Sequence, residues 1–341
     1  MLPVIFQRGV HLPSLDLWLD PHGSRPFAFV SHAHSDHTGK HGETILSHPT
    51  SLFMRERIGK SRAEHVLDFH TPTAIRDFKI TLLPAGHILG SAQSFIETET
   101  GSLLYTGDFK LRRSLAAEPT AWCHAETLIM ETTFGLPKYR FPPNAEVLGQ
   151  MVAFCHETLA DGAVPVLLGY SLGKAQEILC ALCAAGLVPM LHGAVEKMTA
   201  IYQQLQPDFP ANFLSFDANE VQGKVLIVPP NVMRSPMMNS LKNTRVAALT
   251  GWAIDSSARY RMQCDLALPL SDHADYDDLI RYVELVQPQR VLTLHGFAAQ
   301  FARDLRARGI EAWSLTGNDQ LDLAFDSTQF RPRPPQGGDQ A

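Results

Sequence analysis

Short apolar runs that end at a polar residue recur along the N-terminal part of the chain. PFAFV at 26–30 predicts a buried strand, and FKITLLPAGHILGSAQSFIETETGSLLYTGDF at 78–109 predicts three short strands separated by glycine-containing turns. ETLIMETTFG at 126–135 predicts another strand. Each run has a His, Asp or Glu just past its C-terminal end, where loops held by a rigid sheet often carry binding residues.

The pattern changes in the middle of the chain, where helical and strand periods alternate. Apolar positions at helical spacing occupy 146–162, 171–186 and 195–205, and short apolar strands occupy 164–170, 187–191, 224–230 and 245–253. This alternation predicts an α/β unit with a parallel sheet over 141–250.

Loop-borne histidines return after this unit, in LPLSDHADYDD at 268–278 and RVLTLHGF at 290–297. We therefore predict that 1–140 and 251–328 form one body and that 141–250 is inserted into it. The Pro/Gly-rich stretch 329–341 is predicted to be a disordered tail.

Composition narrows the class of protein. The chain has 341 residues, a formal net charge of −6 and five scattered cysteines, which argues against a disulfide framework and favours the cytoplasm. No apolar run is long enough to span a bilayer, and the N-terminus does not have the pattern of a signal peptide. The negative charge disfavours a general nucleic-acid binder, although bound metal cations and local basic patches can offset it.

A cluster of histidines directly follows the strand at 26–30. His32, His34, Asp36 and His37 stand within six positions, in the order His-x-His-x-Asp-His. Residues i and i+2 of an extended chain point the same way, so His32 and His34 can grip one ion. Imidazole and carboxylate suit zinc, or manganese when carboxylates are more numerous. The cluster therefore predicts a metal site.

One motif cannot fill the coordination shells of two ions, so further ligands must come from other strand ends. Asp108 is the natural bridging carboxylate, and His87 and His295 can complete one shell each. Two ions about 3.5–4 Å apart are typical of phosphoryl-transfer and hydrolytic sites.

These residues resemble, in order, the motifs of the metallo-β-lactamase fold and of its β-CASP nuclease family. Asp20 in LDLWLDPH, His87 in AGHILGS and Asp108 in YTGDF flank the histidine cluster, and the family-specific Glu131 in METTFG and His273 in SDHADY follow. The resemblance covers residues from about 10 to 325 and includes His295 in LHG and GKAQEIL at 173–179. It implies a four-layer αββα metallo-β-lactamase sandwich with an inserted α/β β-CASP domain.

Within that family the chain looks most like short bacterial exonucleases associated with an ATP-dependent DNA ligase and a helicase in DNA repair. DLWLDP and LPAGHILGSAQ carry this closer likeness, which implies a DNA substrate and favours 5′→3′ polarity. A histidine at the position of His295 is typical of RNA-processing members, so an RNA nuclease remains the alternative. A small-molecule hydrolase acting on thioesters is a third reading, which the inserted unit and the Glu131/His273 motifs disfavour.

The resemblance also implies roles for individual residues. Two divalent ions, zinc or manganese, would lower the pKa of water, and Asp36 or Asp108 would orient or deprotonate it. His273 is the candidate general acid, held in its tautomer by Glu131, and Asp20 is expected to support a metal-binding histidine.

Phosphates of the substrate need hydrogen-bond donors. Ser171 and Lys174 stand between a strand and a helix, where free backbone N–H groups face an anion, and Lys110 and Arg112 closely follow Asp108. We predict that these four residues contact the substrate backbone. The basic run from Arg55 to Arg62 is interpreted as a solvated helix face.

Overall fold

Three β-sheets organise residues 2–60 and 62–316, which are the residues that the computed structural model describes. The first sheet contains β1 (Ile5–Phe6), β2 (Val10–Leu12), β3 (Leu17–Leu19), β4 (Phe27–Phe29), β5 (Glu43–Ser47) and β6 (Ala63–Leu67), in that order. The second contains β7 (Thr73–Ile75), β8 (Phe78–Pro84), β9 (Ala92–Thr98), β10 (Gly101–Tyr105), β11 (Thr127–Glu131), β18 (Arg290–Leu294) and β19 (Ala312–Ser314), with the order β19-β18-β11-β10-β9-β8-β7. The third contains β12 (Val164–Leu168), β13 (Pro189–Leu191), β14 (Leu214–Ser215), β15 (Val225–Val228), β16 (Thr244–Leu249) and β17 (Leu266–Leu268), with the order β14-β13-β15-β12-β16-β17.

Helices connect and cover these sheets. The α-helices are α1 (His48–Ile58), α2 (Asn144–Ala160), α3 (Lys174–Ala184), α4 (Gly193–Leu205), α5 (Pro236–Ser240), α6 (Ala258–Met262), α7 (Tyr276–Val286) and α8 (Ala298–Ala307). Short 3₁₀ turns span Pro13–Leu15, Pro230–Val232 and Gly251–Ile254.

The first two sheets pack face to face and form the predicted sandwich. Phe27 and Phe29 of β4 meet Leu82 of β8 and Ile96 of β9 in one fully buried apolar cluster. The period-2 alternation of strand side chains leaves the opposite face of each sheet for helices. α1 covers β5 and β6, while α7 and α8 cover the second sheet, so the layers are α, β, β and α. The predicted fold class is confirmed.

Helix α7 shows how the local sequence produces this packing. The side chain of Asp275 accepts a hydrogen bond from the backbone N–H of Asp278 and so begins the helix. Leu279, Tyr282, Val283 and Val286 recur at helical spacing and are buried against the second sheet.

The third sheet forms the inserted α/β unit and is parallel throughout. Helices and apolar side chains cover both of its faces, as expected for a parallel sheet. The predicted alternation of strands and helices is confirmed, but the sheet continues beyond residue 250, because β17 pairs with β16. The predicted domain limits stay a prediction, and 317–341, including the predicted tail at 329–341, lie outside the described residues.

The inserted unit is docked on the body through a continuous apolar contact. Phe53 of α1 and Ile88 belong to the same buried cluster as Ile178 of α3 and Tyr202 of α4. The Tyr202 hydroxyl also accepts a hydrogen bond from the backbone N–H of Leu89, at 3.3 Å. Within the described residues, no helix combines the length and apolar character needed to cross a membrane.

Candidate metal centre

A cleft of about 730 Å³ lies between the body and the inserted unit. Loops that follow strands of all three sheets line it: the His34–His37 segment after β4, His87 after β8, and Tyr170 and Ser171 after β12. The carboxyl ends of strands are a common place for ligand sites in α/β proteins. The predicted strand-end residues are therefore brought to one place.

Three imidazoles converge at the floor of this cleft. His34 Nδ1 lies 3.1 Å from His32 Nε2 and 3.1 Å from His87 Nε2. Burial lowers the pKa of His34 to about 3 and that of His87 to about 4, and burial with the neighbouring imidazoles places the pKa of His32 well below its usual value. All three rings are therefore neutral at pH 7 and have lone pairs available to a cation.

Asp108 is the acidic centre of the site. Its Oδ2 lies 3.3 Å from His37 Nε2, 3.6 Å from His32 Nε2 and 3.8 Å from His87 Nε2. Burial would raise the pKa of Asp108, but His37 and His273 outweigh it and hold the pKa well below its usual value. The preceding Gly107 has φ +55°, and a Cβ there would overlap the side chain of Ser31.

Asp20 anchors His37 from behind. Its Oδ2 accepts a hydrogen bond from His37 Nδ1 at 2.9 Å and from the Tyr105 hydroxyl at 2.9 Å, while its Oδ1 accepts one from the Ser31 backbone N–H at 2.8 Å. Ser31 Oγ also lies 2.9 Å from His32 Nδ1. Hydrogen bonds of this kind fix the tautomer and ring orientation of metal-binding histidines. Sequence reasoning identified Asp20 but missed Ser31 and Tyr105.

Glu131 and His273 lie in contact on one wall of the cleft. His273 Nδ1 is 2.8 Å from Glu131 Oε1, which also accepts a hydrogen bond from the Phe109 backbone N–H at 3.0 Å. Thr133 Oγ1 donates to Glu131 Oε2 at 2.5 Å. Burial would lower the pKa of His273, but the carboxylates of Glu131 and Asp108 raise it to about 9. The structure thus brings together two residues whose pairing the family resemblance implied.

Two predicted ligands lie at the margin of the cluster. The Asp36 side chain is 69% exposed, and its Oδ2 is 3.8 Å from His37 Nε2. The ring of His295 lies 6.1 Å from that of His37, and its backbone is held at φ +60°. A positive φ outside glycine is uncommon and is often found at functional sites.

The donor set fits divalent metal ions. His32, His34 and His87 form one compact group of ligand atoms, and His32, His37 and Asp108 form a second, with all atoms of each group within 4.8 Å of one another. Asp108 also groups with His87 and His273 in this way. Imidazoles around a buried carboxylate are among the donors that zinc takes in proteins.

The predicted phosphate contacts need correction for three of the four residues. Lys110 Nζ is buried and pairs with Glu177 at 3.2 Å, and Lys174 Nζ is buried and pairs with Asp272 at 2.7 Å. The guanidinium of Arg112 pairs with Asp275 and Asp278. The two lysines are buried and Arg112 is partly exposed; all three are paired with acids and none lines the cleft.

Ser171 does line the cleft, and Arg57 lies beside it. Arg57 was interpreted as part of a solvated helix face, but its guanidinium donates to the Ala33 carbonyl at 2.9 Å and to Ser171 Oγ at 3.4 Å. The position of Arg57 in the last turn of α1 could not reveal this contact, because Ser171 belongs to the inserted unit, which is distant in sequence.

Known proteins with similar sequences include metal-dependent enzymes and nucleases. Residues 259–314 match the model of the family described as "Zn-dependent metallo-hydrolase RNA specificity domain". The chain is 54% identical over 327 residues to a "Probable DNA ligase" of Opitutus terrae, covering 95% of this chain and 32% of that protein. It is 25% identical to an "RNase J-like protein" of Methanocaldococcus jannaschii, covering 78% of this chain and 80% of that protein. It is 24% identical to the "DNA cross-link repair 1A protein" of Gallus gallus, covering 85% of this chain and 32% of that protein.

A solved structure of an Enterococcus faecalis protein of unknown function has a similar fold, with a TM-score of 0.59 and 15% identity over 87% of this chain and 80% of that one. The sandwich and its His/Asp cluster define a protein of the metallo-β-lactamase fold. The chain belongs to the β-CASP nuclease family of that fold. It spans about a third of the length of the ligase-named relative.

Proposed function

We propose that this chain is a metal-dependent nuclease that hydrolyses phosphodiester bonds, and that it acts as a DNA exonuclease in repair. The observation that carries the proposal is the convergence of His32, His34, His87 and Asp108 at the floor of the cleft. A cleft of about 730 Å³ is open enough for the end of a nucleic-acid strand.

The DNA assignment is supported by the relative named as a probable DNA ligase, which aligns with 95% of this chain. We propose that the nuclease acts alongside an ATP-dependent DNA ligase and a helicase, with 5′→3′ polarity. We also propose a cytoplasmic location, which the five unpaired cysteines support.

We propose two divalent ions, with zinc favoured over manganese. When bound, such ions lower the pKa of water and supply hydroxide near neutral pH. His32, His34 and His87 would hold one ion and His37 and His295 the other, with Asp108 between them and Asp36 at the entrance.

The chain's own residues then move the protons. Asp108 or Asp36 orients the attacking water and accepts its proton, and the water oxygen attacks phosphorus in line. The leaving oxygen takes a proton from His273 Nε2, while His273 Nδ1 keeps its hydrogen bond to Glu131, 2.8 Å away. Ser171, beside Arg57, is the remaining candidate for a substrate contact.

An RNA-processing ribonuclease is the second candidate. His295 at the edge of the cluster and the match of residues 259–314 to an RNA specificity domain favour it. A thioester hydrolase is less favoured, because metal-assisted hydrolysis of a small substrate needs neither the Glu131–His273 pair nor the inserted unit.

Matched end-labelled DNA and RNA oligonucleotides, single- and double-stranded and with either terminus phosphorylated, distinguish these functions. They are incubated with the full chain after chelation and re-addition of zinc, manganese or magnesium. Stepwise shortening of DNA from one end, faster than that of RNA, is the expected result. Faster RNA cleavage would replace the DNA assignment, and a lack of metal-dependent cleavage of either would refute the nuclease proposal.

Asp108→Asn is the variant for this assay, because it keeps the shape of the side chain and removes the central charge. Asp304→Asn is the matched control, because Asp304 lies on α8, outside the lining of the cleft. Loss of cleavage in both variants would show that the first result does not report on the site.

A further inference from the structure

A second cavity, of about 610 Å³, lies on the inserted unit and is strongly basic. It is lined by Arg234, Ser256, Arg259, Tyr260, Arg261, Gln263 and Cys264. No carboxylate is among these lining residues in the described part of the chain. A concentration of arginine in a chain of net charge −6 is a local feature that the overall charge does not predict.

The arginines of this cavity are weakly engaged. Arg234 donates to the Gln263 side chain at 3.2 Å, and Arg259 donates to the Cys264 carbonyl at 3.4 Å. Arg261 lies 3.8 Å from a carboxylate oxygen of Asp255. That carboxylate also receives Lys138 at 2.8 Å, so it is shared. The three guanidinium groups therefore keep donors for an anion.

An aromatic side chain stands beside these cations. Tyr260 is 88% exposed, although it lies on a short helix between two arginines. An exposed ring flanked by guanidinium groups combines the two elements of single-strand recognition, which are a stacking platform and contacts to the phosphates. An acidic peptide would need the arginines but would have no use for the ring.

Two segments connect this cavity with the catalytic cleft. Asn231 lines the cleft and Arg234 lines the second cavity, so they are three positions apart and their Cα atoms are at most about 11 Å apart. The other segment runs from Trp252 to Ser256, which lines the second cavity. The ring centroid of Trp252 lies 4.8 Å from that of Phe134. Phe134 in turn lies 6.1 Å from His273.

We propose that the Arg234/Arg259/Arg261/Tyr260 cavity is a secondary binding site for the nucleic-acid strand, which holds nucleotides a short distance from the scissile bond. Its guanidinium groups bind phosphates, and the Tyr260 ring stacks on a base. This inference rests on the proposed nuclease function. It predicts that binding strengthens once an oligonucleotide is long enough to reach from the cleft to the second cavity.

The test measures binding and cleavage separately. The full chain is compared with Arg234→Ala/Arg259→Ala, and with Arg245→Ala/Arg281→Ala as a control that removes the same charge from exposed arginines paired to other acids. Fluorescent single-stranded oligonucleotides of 3 and 15 nucleotides are titrated with the protein, without divalent metal, over a salt series. The shorter one can occupy only one of the two cavities at a time, and the longer one can reach both. Hydrolysis of bis(p-nitrophenyl) phosphate with manganese reports on the catalytic cleft alone.

We expect Arg234→Ala/Arg259→Ala to bind the long oligonucleotide about 10-fold more weakly. The slope of log K against log salt should become shallower by about 1.4, because two phosphate contacts are lost and each contributes about 0.7. The short oligonucleotide and the small diester should be unaffected. Tyr260→Leu should weaken long-strand binding about 5-fold or more, and Tyr260→Phe should retain it, because the ring alone provides stacking.

An equal loss in the control variant would overturn the site, because it would reflect general charge. Unchanged binding of the long oligonucleotide by Arg234→Ala/Arg259→Ala would also overturn the proposal. The proposal would likewise fail if these substitutions weakened the binding of a hexaglutamate peptide but not the binding of the oligonucleotide. Failure of the nuclease proposal would be seen separately, as no hydrolysis of the diester or of any oligonucleotide by the unmodified chain.

Discussion

The buried ion pair between Lys174 and Asp272 makes the sharpest prediction about stability. Lys174 Nζ lies 2.7 Å from Asp272 Oδ1 and donates to the Leu270 carbonyl at 2.6 Å, and the two side chains are 3% and 6% exposed. The pair joins the start of α3 to the loop that carries His273. The Asp272 carbonyl also lies 2.9 Å from His87 Nδ1 and so orients that ligand.

Removal of the lysine should be costly. Lys174→Met leaves the Asp272 carboxylate buried without its cation, which typically costs about 3–5 kcal/mol. For a chain of this size, that corresponds to a fall in Tm of about 4–7 °C. The pKa of Asp272 gives a second measure: burial would raise it, but Lys174 and neighbouring cations hold it at about 2. A pKa of about 2 against the ordinary 3.8 corresponds to about 2 kcal/mol.

The pH dependence has a definite sign. Because the pKa of Asp272 is lower in the folded chain, its contribution to stability is present above about pH 4 and is lost as the pH falls toward about 2. Lys174→Met should therefore lose stability mainly above pH 4, and its deficit relative to the unmodified chain should shrink in acid.

Thermal and urea unfolding of Lys174→Met, Asp272→Leu and the double variant, followed by circular dichroism, measure the coupling. The double variant should be more stable than either single variant, because it leaves no buried charge unpaired. Lys174→Arg is the control that retains the charge. If Lys174→Met costs less than about 1 kcal/mol and the coupling is near zero, the argument about this pair is refuted.

Three further predictions concern the site and the junction between its two parts. Asp36→Ala combined with His37→Ala should abolish cleavage of end-labelled oligonucleotides while circular dichroism shows a folded chain; full activity would contradict the ligand assignment. Glu131→Gln should lower kcat about 10-fold or more with little change in KM, since the amide lacks the negative charge that favours protonated His273 and its NH2 group cannot accept from Thr133 Oγ1; an equal rise in KM would argue for a binding role instead. Gly173→Ala should cost about 1–3 kcal/mol in urea unfolding, because φ is +91° and a Cβ would overlap an isoleucine of the body; a cost near zero would show that this contact adapts.

The strands and the residue types at their ends could be predicted from the sequence because they depend on local order. Short apolar runs bounded by turn residues predicted β8, β9, β10 and β11, and the structure has each of them. Helical spacing predicted α2, α3 and α4 of the inserted unit. β17 was missed because three residues between loops carry too little periodicity to predict a strand.

The candidate ligands could be predicted for the same reason, since each directly follows an apolar strand. Their pairings could not. That Asp20 accepts from Tyr105, 85 positions away, depends on how the first two sheets face each other. The contact between Glu131 and His273, 142 positions apart, was implied by the family resemblance and not by either residue's neighbours.

By itself, the sequence determined several strands, the helices of the inserted unit and the set of imidazoles and carboxylates at the strand ends, because hydrophobic period and residue type act locally; the four layers followed from the family resemblance. The tertiary structure alone decided which cations face a substrate. Lys110 and Lys174 appeared free in the sequence, yet each is buried against an acid at least 67 positions away, while Arg57 reaches the cleft. Charge pairing is decided by proximity in space, and burial makes an unpaired charge costly, so distant acids determine the place of each lysine.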